Sequence, residues 1–284
     1  MILITDGGST KVDWIALDSN KEEAFRVRTL GLNPAVVSEE ELRNRIVNMF
    51  QLMSVKEAVT EIHFYGAGCG TPKPVEILKS LLKSIFINAQ VTVSEDMLAA
   101  VYAVSGANPA LVCILGTGSN SCYFDGKNIE MKTASLGYTL MDEASGNYFG
   151  KRLLRDYYYD KMPKPIAAKF KAQFDLDIDT VKFNLYRQSN PNMYLASFAK
   201  FMFEFKEEKY IKRIIKKGFL TFFKYRILPF QKPTDTPIYF IGSIAFYFRE
   251  ILEKVAAKYS MEITDIIQRP IDNLVAYHKE KVNV

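Results

Sequence analysis

Two short stretches have the residue types to hold phosphate groups with main chain and hydroxyls. Asp6-Gly7-Gly8-Ser9-Thr10 follows the apolar run Ile2-Leu3-Ile4, and Gly116-Thr117-Gly118-Ser119-Asn120 follows Leu111-Val112-Cys113-Ile114-Leu115. Glycine turns the backbone through positive φ and lets a ligand reach the main chain with no Cβ between them. Successive N–H groups around such a tip form an anion-binding concavity, with the hydroxyls of Ser9, Thr10, Thr117 and Ser119 beside them. The Asp6 carboxylate would repel a phosphate directly, but it suits a hydrated metal ion that bridges to one. Lys11 is the single cation near either tip, and the absence of G-x-x-x-x-G-K-[ST] excludes a P-loop. One DGG alone reads as an ordinary hairpin turn. Its recurrence in the second half predicts two related domains that grip a triphosphate from both sides of a cleft.

Phosphoryl transfer asks a protein for held phosphates, a metal and a positioned nucleophile. An acceptor hydroxyl also needs a place to leave its proton. Asp96 follows the strand Val91-Thr92-Val93 and sits in the first turn of a helix that runs to Val104. Two readings stand for it: a carboxylate that complements the helix dipole, or a general base aimed from a strand end at a hydroxyl. Gly242-Ser243 lies between the strand Pro237–Ile241 and a helix, where a nucleoside can pass close to the backbone. Taken alone, a plain βα turn is the stronger reading there.

The elements around these residues must position them. Val12, Trp14 and Ala16 alternate with Asp13 and Ile15 as a returning strand, and a third strand follows around Glu23 to Arg28. Gly31-Leu32-Asn33-Pro34 is a loop, because proline disfavours helix at the residue before it. Ser38 and Glu41 form a capping box, and the helix behind it carries Leu42, Ile46, Met49, Phe50 and Met53 on one face. A strand over 62–65, a helix over 74–86 and a strand over 91–93 complete the order βββαβαβ, that of a ribonuclease H-like domain. Asn108-Pro109 marks a boundary, giving domains over 1–108 and 109–284.

The second half repeats the strand–tip–strand device, turns tightly at Asp125-Gly126, and then becomes mainly helical. Helices are expected over 144–161, 163–173, 179–188, 192–205 and 207–226. In the last of these, Ile211, Ile214, Ile215, Gly218, Phe219 and Phe222 share one face, opposite Lys212, Arg213, Lys216 and Lys217. Such a helix more often packs with a solvated basic face than binds membrane or nucleic acid. A last core strand spans 237–241, and a final helix over about 264–284 is placed to pack back on the first domain.

At 284 residues, 48% apolar and 24% charged, the chain is globular and long enough for two modest domains. No run is long enough to cross a bilayer, and an acid at position six argues against a signal peptide. Cys69, Cys113 and Cys122 are odd in number and lack C-x-x-C spacing, which points to a reducing cytoplasm. A net charge of +5 suits anionic substrates and is equally an ordinary surface balance.

The paired tips resemble the sugar kinase, Hsp70 and actin superfamily. More closely, Asp6-Gly7-Gly8-Ser9-Thr10-Lys11-Val12-Asp13-Trp14 resembles the opening of the BadF/BadG-type ATPase family, which includes the N-acetylglucosamine kinases. Gly31-Leu32-Asn33-Pro34 resembles its G-x-N loop, and Asp96 with Ala99-Ala100 its D-x-x-A-A element. Leu115 to Asn120 resembles the GTGSN motif, and Leu136 to Gly146 the GGWGxxxGDEGSG motif. The motifs span the chain in the family's order. Tyr138 stands for the usual Trp, Met141 and Ala144 for glycines, and Ser243 for the second glycine of the nucleotide motif.

The resemblance implies an α/β, actin-like ATPase fold of two ribonuclease H-like domains flanking an ATP cleft. It makes Asp6, Gly7, Gly8, Ser9, Thr10 and Lys11 one phosphate site, with Mg²⁺ at Asp6 through water. Gly116, Thr117, Gly118 and Ser119 become the other phosphate site, and Gly242 and Ser243 a nucleotide contact. Asn33, Thr117, Gly137, Tyr138 and Asp142 become sugar contacts, and Asp96 the catalytic base. The expected activity is ATP- and Mg²⁺-dependent phosphorylation of the 6-hydroxyl of N-acetylglucosamine or a close amino sugar. The partner is a small sugar, with no nucleic acid or membrane, and a homodimer is left open. Alternatives are an N-acetylmuramic acid kinase, an ATP-driven activator of radical dehydratases or reductases, and a sugar or nucleotide sensor without catalysis. The ROK-type kinases fit less well, because their cysteine-rich zinc motif is missing.

Overall fold

The computed structural model describes residues 1–8, 10–188 and 190–281. It divides into two units, one made of Met1–Ala107 with the segment from Pro270 onward, the other of Asn108–Arg269. The first unit is built on a five-stranded sheet. Its strands are β1 (Ile2–Gly7), β2 (Lys11–Leu17), β3 (Glu23–Leu30), β4 (Glu61–Gly66) and β5 (Gln90–Glu95), in the order β3-β2-β1-β4-β5. β1 runs antiparallel to β2 and parallel to β4, and β4 parallel to β5. One face packs against α1 (Glu39–Val47), α2 (Phe50–Ser54) and α3 (Pro72–Ile85) through Leu3, Val12, Trp14 and Phe64. Trp14 is fully buried, donates to Thr29 Oγ1 (3.0 Å) and meets the Phe64 ring edge-on at 5.9 Å. The other face takes α4 (Asp96–Val104) and the C-terminal helix Ile271–Lys281. There Tyr277 stacks on Tyr102 at 4.3 Å, and Asn273 donates to the Ala103 carbonyl.

The second unit repeats the plan. Its strands are β6 (Ala110–Leu115), β7 (Ser119–Phe124), β8 (Ile129–Glu130), β9 (Ile238–Ile241) and β10 (Asp265–Ile267), in the order β10-β9-β6-β7-β8. The antiparallel hairpin β6–β7 is extended on one side by β8 and on the other by the parallel strands β9 and β10. Between β8 and β9 comes a helical stretch of α5 (Gly146–Tyr158), α6 (Lys164–Gln173), α7 (Ile178–Tyr186), α8 (Pro191–Ser197), α9 (Ala199–Glu204) and α10 (Lys209–Phe222). α11 (Ser243–Tyr247) and α12 (Arg249–Ala256) follow β9. The core is rich in aromatics, with Phe170 touching the rings of Phe174, Phe198 and Phe201.

Several boundaries differ from the sequence reading, each for a local reason. The helix after Ser38 stops at Val47, where Asn48 caps it, and Phe50 on the next short helix is 79% exposed while Leu52 is buried. Ser38 Oγ accepts from the Glu41 N–H as expected of a cap, but the Glu41 carboxylate takes Arg45. The helix expected over 192–205 breaks at Phe198, whose ring packs on Phe170, Phe174 and Tyr194. The helix expected to 226 ends at Phe222 and continues as one π-helical turn, Phe223–Ile227. The stretch from about 264, expected to be helical, first forms β10; three residues are too few to show a period. Lys212, Arg213, Lys216 and Lys217 lie on the exposed side of α10.

Candidate active site

In the first unit, Gly7, Gly66 and Glu95 stand level with one another at the C-terminal ends of three parallel strands. That edge is where open α/β sheets bind ligands. Asp6 is the next-to-last residue of β1, opposite Asp13 on one side and Tyr65 on the other. It is therefore fixed by the sheet, although the sequence places it in a loop. Asp13 is buried and paired to Arg28 at 2.6 Å, and Lys11 reaches it at 3.9 Å with its own side chain 40% exposed. The tip is closed by Gly8 N–H donating to the Lys11 carbonyl (2.9 Å). A Cβ on Gly7 would lie 2.8 Å from the Tyr65 carbonyl, so close packing on β4 alone demands glycine there. Ser9 lies outside the described residues.

The remaining expected residues of this unit converge on the same edge. Gly31 N–H donates to the Thr10 carbonyl (3.1 Å), which fastens the Asn33 loop to the tip. Asn33 Oδ1 accepts from Ala35 N–H (2.9 Å), a side-chain turn that fixes its rotamer. Its amide rests on Gly68, whose φ is +82° and whose Cβ, if present, would meet Asn33 Oδ1 at 1.9 Å. Gly68 is thus required both by its backbone and by Asn33. Asp96 is the first residue of α4, directly after β5. Beside it, burial holds the Glu95 carboxyl above its ordinary range. Burial also pushes the Cys69 thiol up to about 12, with the charges of Asp96 and Glu95 adding to the shift.

The second unit gathers its own set. Gly116 N–H donates to the Gly118 carbonyl (3.0 Å), and the N–H groups of Gly146 and Asn147 donate to the Gly116 and Thr117 carbonyls. The start of α5 is therefore bonded to the tip. Gly242, at φ +118°, comes so close that its Cβ would lie 2.3 Å from the Leu115 carbonyl oxygen. Three segments far apart in sequence meet here, at the ends of β6 and β9 and the N-terminus of α5. Ser243 is the first residue of α11.

Asp142 is buried against this tip. Its carboxylate accepts from Ser119 N–H (3.3 Å) and Asn147 Nδ2 (3.4 Å), and a Cβ on Gly118 would lie 2.9 Å from its Oδ2. Burial raises its pKa, opposed by those two hydrogen bonds and by the charge of Arg226. Asp142 (φ +67°) and Ala144 (φ +60°) are both left-handed, a conformation that costs an L-residue roughly 1–2 kcal/mol. Ser119 Oγ and Asn147 Oδ1 are buried with no hydrogen-bond partner among the described residues. Such orphaned groups cost about 1–3 kcal/mol each in an ordinary core. Strain and unpaired polar atoms together are tolerated where a site needs them. Tyr138 packs partly buried on the core after Gly137 (φ +76°), and its carbonyl accepts from Lys151 Nζ.

Asp6, Gly7, Gly8, Thr10, Lys11, Asn33 and Asp96 thus lie around the tip edge of the first unit, and Gly116, Thr117, Gly118, Ser119, Asp142 and Gly242 around the tip of the second, whereas Tyr138 packs on the core of that unit. Sequence reasoning missed Glu95, whose only signal is its place beside Asp96 at a strand end. It also missed Asn147, Lys151 and Arg226. Asn147 directly follows the Leu136–Gly146 motif, but Arg226 lies 83 residues from the Glu143 it binds, and no spacing links them.

No protein-family model matches the chain, and no curated protein matches it. Among solved structures, a Porphyromonas gingivalis protein described as a candidate N-acetylglucosamine kinase aligns with a TM-score of 0.90 and 33% identity, over 99% of this chain and 100% of that one. A Chromobacterium violaceum protein of the same description aligns at 0.75 and 14% identity, over 97% and 98% of the two chains. A ROK-family glucokinase from Streptomyces griseus, in complex with glucose and AMPPNP, aligns at 0.57 and 14% identity, over 98% of each. The last two carry the fold alone, the sugar-kinase form of the actin-like ATPase fold.

Proposed function

We propose, from the premise that the chain belongs to the sugar-kinase family of the Porphyromonas gingivalis protein, that it phosphorylates the 6-hydroxyl of N-acetylglucosamine or a close amino sugar with ATP. Within that family we place it in the BadF/BadG-type branch. The observation that carries the reading is the gathering of Asp6, Thr10, Asn33 and Asp96 at one sheet edge, with a carboxylate at the strand end.

In this mechanism Asn33, Gly137, Tyr138, Asp142 and Thr117 hold the sugar. Asn and Asp side chains suit vicinal hydroxyls because they donate and accept in fixed directions, and the Tyr138 ring covers an apolar sugar face. The tip of each unit supplies main-chain N–H groups and hydroxyls to phosphate oxygens, with Lys11 beside the first tip. Gly242 and Ser243 leave the backbone open to the nucleoside. Asp96 accepts the proton of the sugar O6 as that oxygen bonds to the γ-phosphorus and the bond to the bridging oxygen of ADP breaks. Among the described residues no three metal-ligating side chains converge. Asp6, at the end of β1, is the carboxylate that would hold Mg²⁺, which is typically bound by one or two carboxylates together with substrate phosphates. When bound, Mg²⁺ would neutralise charge on the β- and γ-phosphates.

Three buried thiols disfavour the iron–sulfur activator reading. Cys113 and Cys122 are fully buried, and burial raises the Cys113 and Cys69 pKa values, whereas cluster ligation needs accessible thiolates. The same free cysteines fit a cytoplasmic enzyme. No helix among the described residues is long and apolar enough to cross a membrane. A coupled ADP-release assay with Mg²⁺ across a panel of sugars tests the proposal. Turnover should be fastest with N-acetylglucosamine, then N-acetylmuramic acid; ADP release indifferent to every sugar would overturn it.

A further inference from the structure

The Asp142 loop has no regular structure of its own. From the end of β8 to the start of α5 the chain forms only turns, yet Asp142, Ala144 and Ser145 are buried within it. Its turn hydrogen bonds run from Leu140 and Met141 N–H to the Gly137 carbonyl and from Ser145 N–H to the Asp142 carbonyl. Two cations grip it from different helices.

Arg226 is the more telling of the two. It is 2% exposed, and its Nε donates to Glu143 Oε2 (3.2 Å) while its Nη2 reaches Met141 Sδ (3.5 Å). One guanidinium therefore holds the residues on both sides of Asp142. The arginine is itself anchored: its carbonyl accepts from Ser121 Oγ (2.7 Å) on β7, two residues beyond Ser119. It lies on the π-helical turn that ends α10, and π turns occur mostly as single-turn features at functional positions. On the other side Lys151, half-buried on α5, donates to the Tyr138 carbonyl.

A buried ion pair is weak evidence of stabilisation, since apolar residues of similar volume often do as well. What an apolar replacement could not supply is a fixed fork over two side chains of one loop. Met141 stands where the resemblance expects glycine, and the sulfur of its long side chain meets Arg226 Nη2.

We propose that Arg226, assisted by Lys151, is a positioning residue for sugar recognition: it clamps Met141 and Glu143 so that the Asp142 carboxylate stays against Gly118 and Ser119. The inference rests on the reading of Asp142 as a sugar contact. The groups that face Asp142 are the Ser119 N–H, the Asn147 amide and the charges of Arg226, Glu143 and Lys151. Removing Arg226 leaves Glu143 as an unpaired like charge beside Asp142.

The test uses full-length protein labelled at aspartate carboxyl carbons, with the Asp142 signal identified by its loss in Asp142→Asn. Arg226→Met should move the Asp142 titration midpoint upward by about one pH unit or more. It should raise the sugar KM about 10- to 10²-fold while the ATP KM stays within about twofold of wild type. Arg226→Lys restores the charge without the fork, so the midpoint should return towards wild type while the KM stays elevated. If Arg226→Met fails to fold, Glu143→Gln breaks the fork from the other side: the Asp142 midpoint should then move downward, because a like charge is lost, while the sugar KM should rise as it does in Arg226→Lys. An unchanged midpoint and sugar KM in folded variants would overturn the clamp. A shifted midpoint in a protein that phosphorylates no sugar would support the clamp and overturn the kinase reading instead.

Discussion

Gly118→Ala separates the sugar half-site from the fold. At Gly118 an added Cβ would stand 2.9 Å from Asp142 Oδ2, 3.3 Å from its Cγ and 3.4 Å from Oδ1. No real Cβ sits so close, and the atoms that must yield are a buried carboxylate rather than the free end of a flexible chain. Asp142 would rotate away and release its bonds to Ser119 N–H and Asn147 Nδ2. Two such bonds at about 0.5–1.5 kcal/mol each amount to about 1–3 kcal/mol. At 1.4 kcal/mol per decade this lowers sugar affinity about 5- to 150-fold. The backbone at Gly118 does not need glycine's left-handed φ, and alanine there removes freedom from the unfolded chain, which offsets about 0.4–1 kcal/mol. Net of that offset up to about 2.6 kcal/mol of stability is lost, so the melting temperature should fall by up to about 10 °C with the fold retained. Titration calorimetry with N-acetylglucosamine reads the affinity and calorimetric melting the stability. Wild-type sugar affinity in Gly118→Ala would refute the placement of Asp142 at the sugar.

Gly116→Ala is the companion, because a Cβ there meets nothing within 4 Å; it should melt as wild type but bind ATP more weakly, and unchanged ATP affinity would remove Gly116 from the phosphate site. Gly242→Ala forces a positive φ on alanine and a Cβ 2.3 Å from the Leu115 carbonyl. It should lose at least about 1–3 kcal/mol of stability in urea melts, and a wild-type midpoint would contradict the close approach of β9 to the tip. Folding raises the Asp142 pKa through burial, so the folded state holds that proton more tightly than the unfolded one. Stability from this source is complete below the unfolded value of about 3.9 and is lost as pH rises through the folded value. Wild type should lose stability relative to Asp142→Asn across that window, and parallel pH–stability curves would show that Asp142 is not buried as described.

Much of this was legible because the device is local. A strand, a small-residue tip and a returning strand leave a pattern within fifteen residues, and it occurs twice. The first βββαβαβ order could be read because Ile62–Tyr65 and Val91–Val93 are apolar runs bounded by turns. The second could not be completed, since β10 contributes only Asp265-Ile266-Ile267. Asp96 was visible at a strand end, but nothing in the spacing tells a base from a dipole partner. What stayed hidden is tertiary. That Gly68 exists for Asn33, that Gly242 touches Leu115, and that Arg226 braces Met141 and Glu143 are facts of packing between distant segments. The π turn that carries Arg226 inward breaks the helical period that the sequence otherwise announces.

Asp96→Asn gives the most direct test of the central claim. The amide conserves the shape of the side chain and one acceptor while removing the base, so sugar and ATP affinities measured by calorimetry should stay near wild type. Rapid-quench measurement of sugar-6-phosphate formation in a single turnover should show phosphoryl transfer slowed roughly 10²- to 10⁴-fold. Transfer at a near-wild-type rate would mean that the carboxylate serves only the start of α4, and would contradict the account of this edge as the catalytic one.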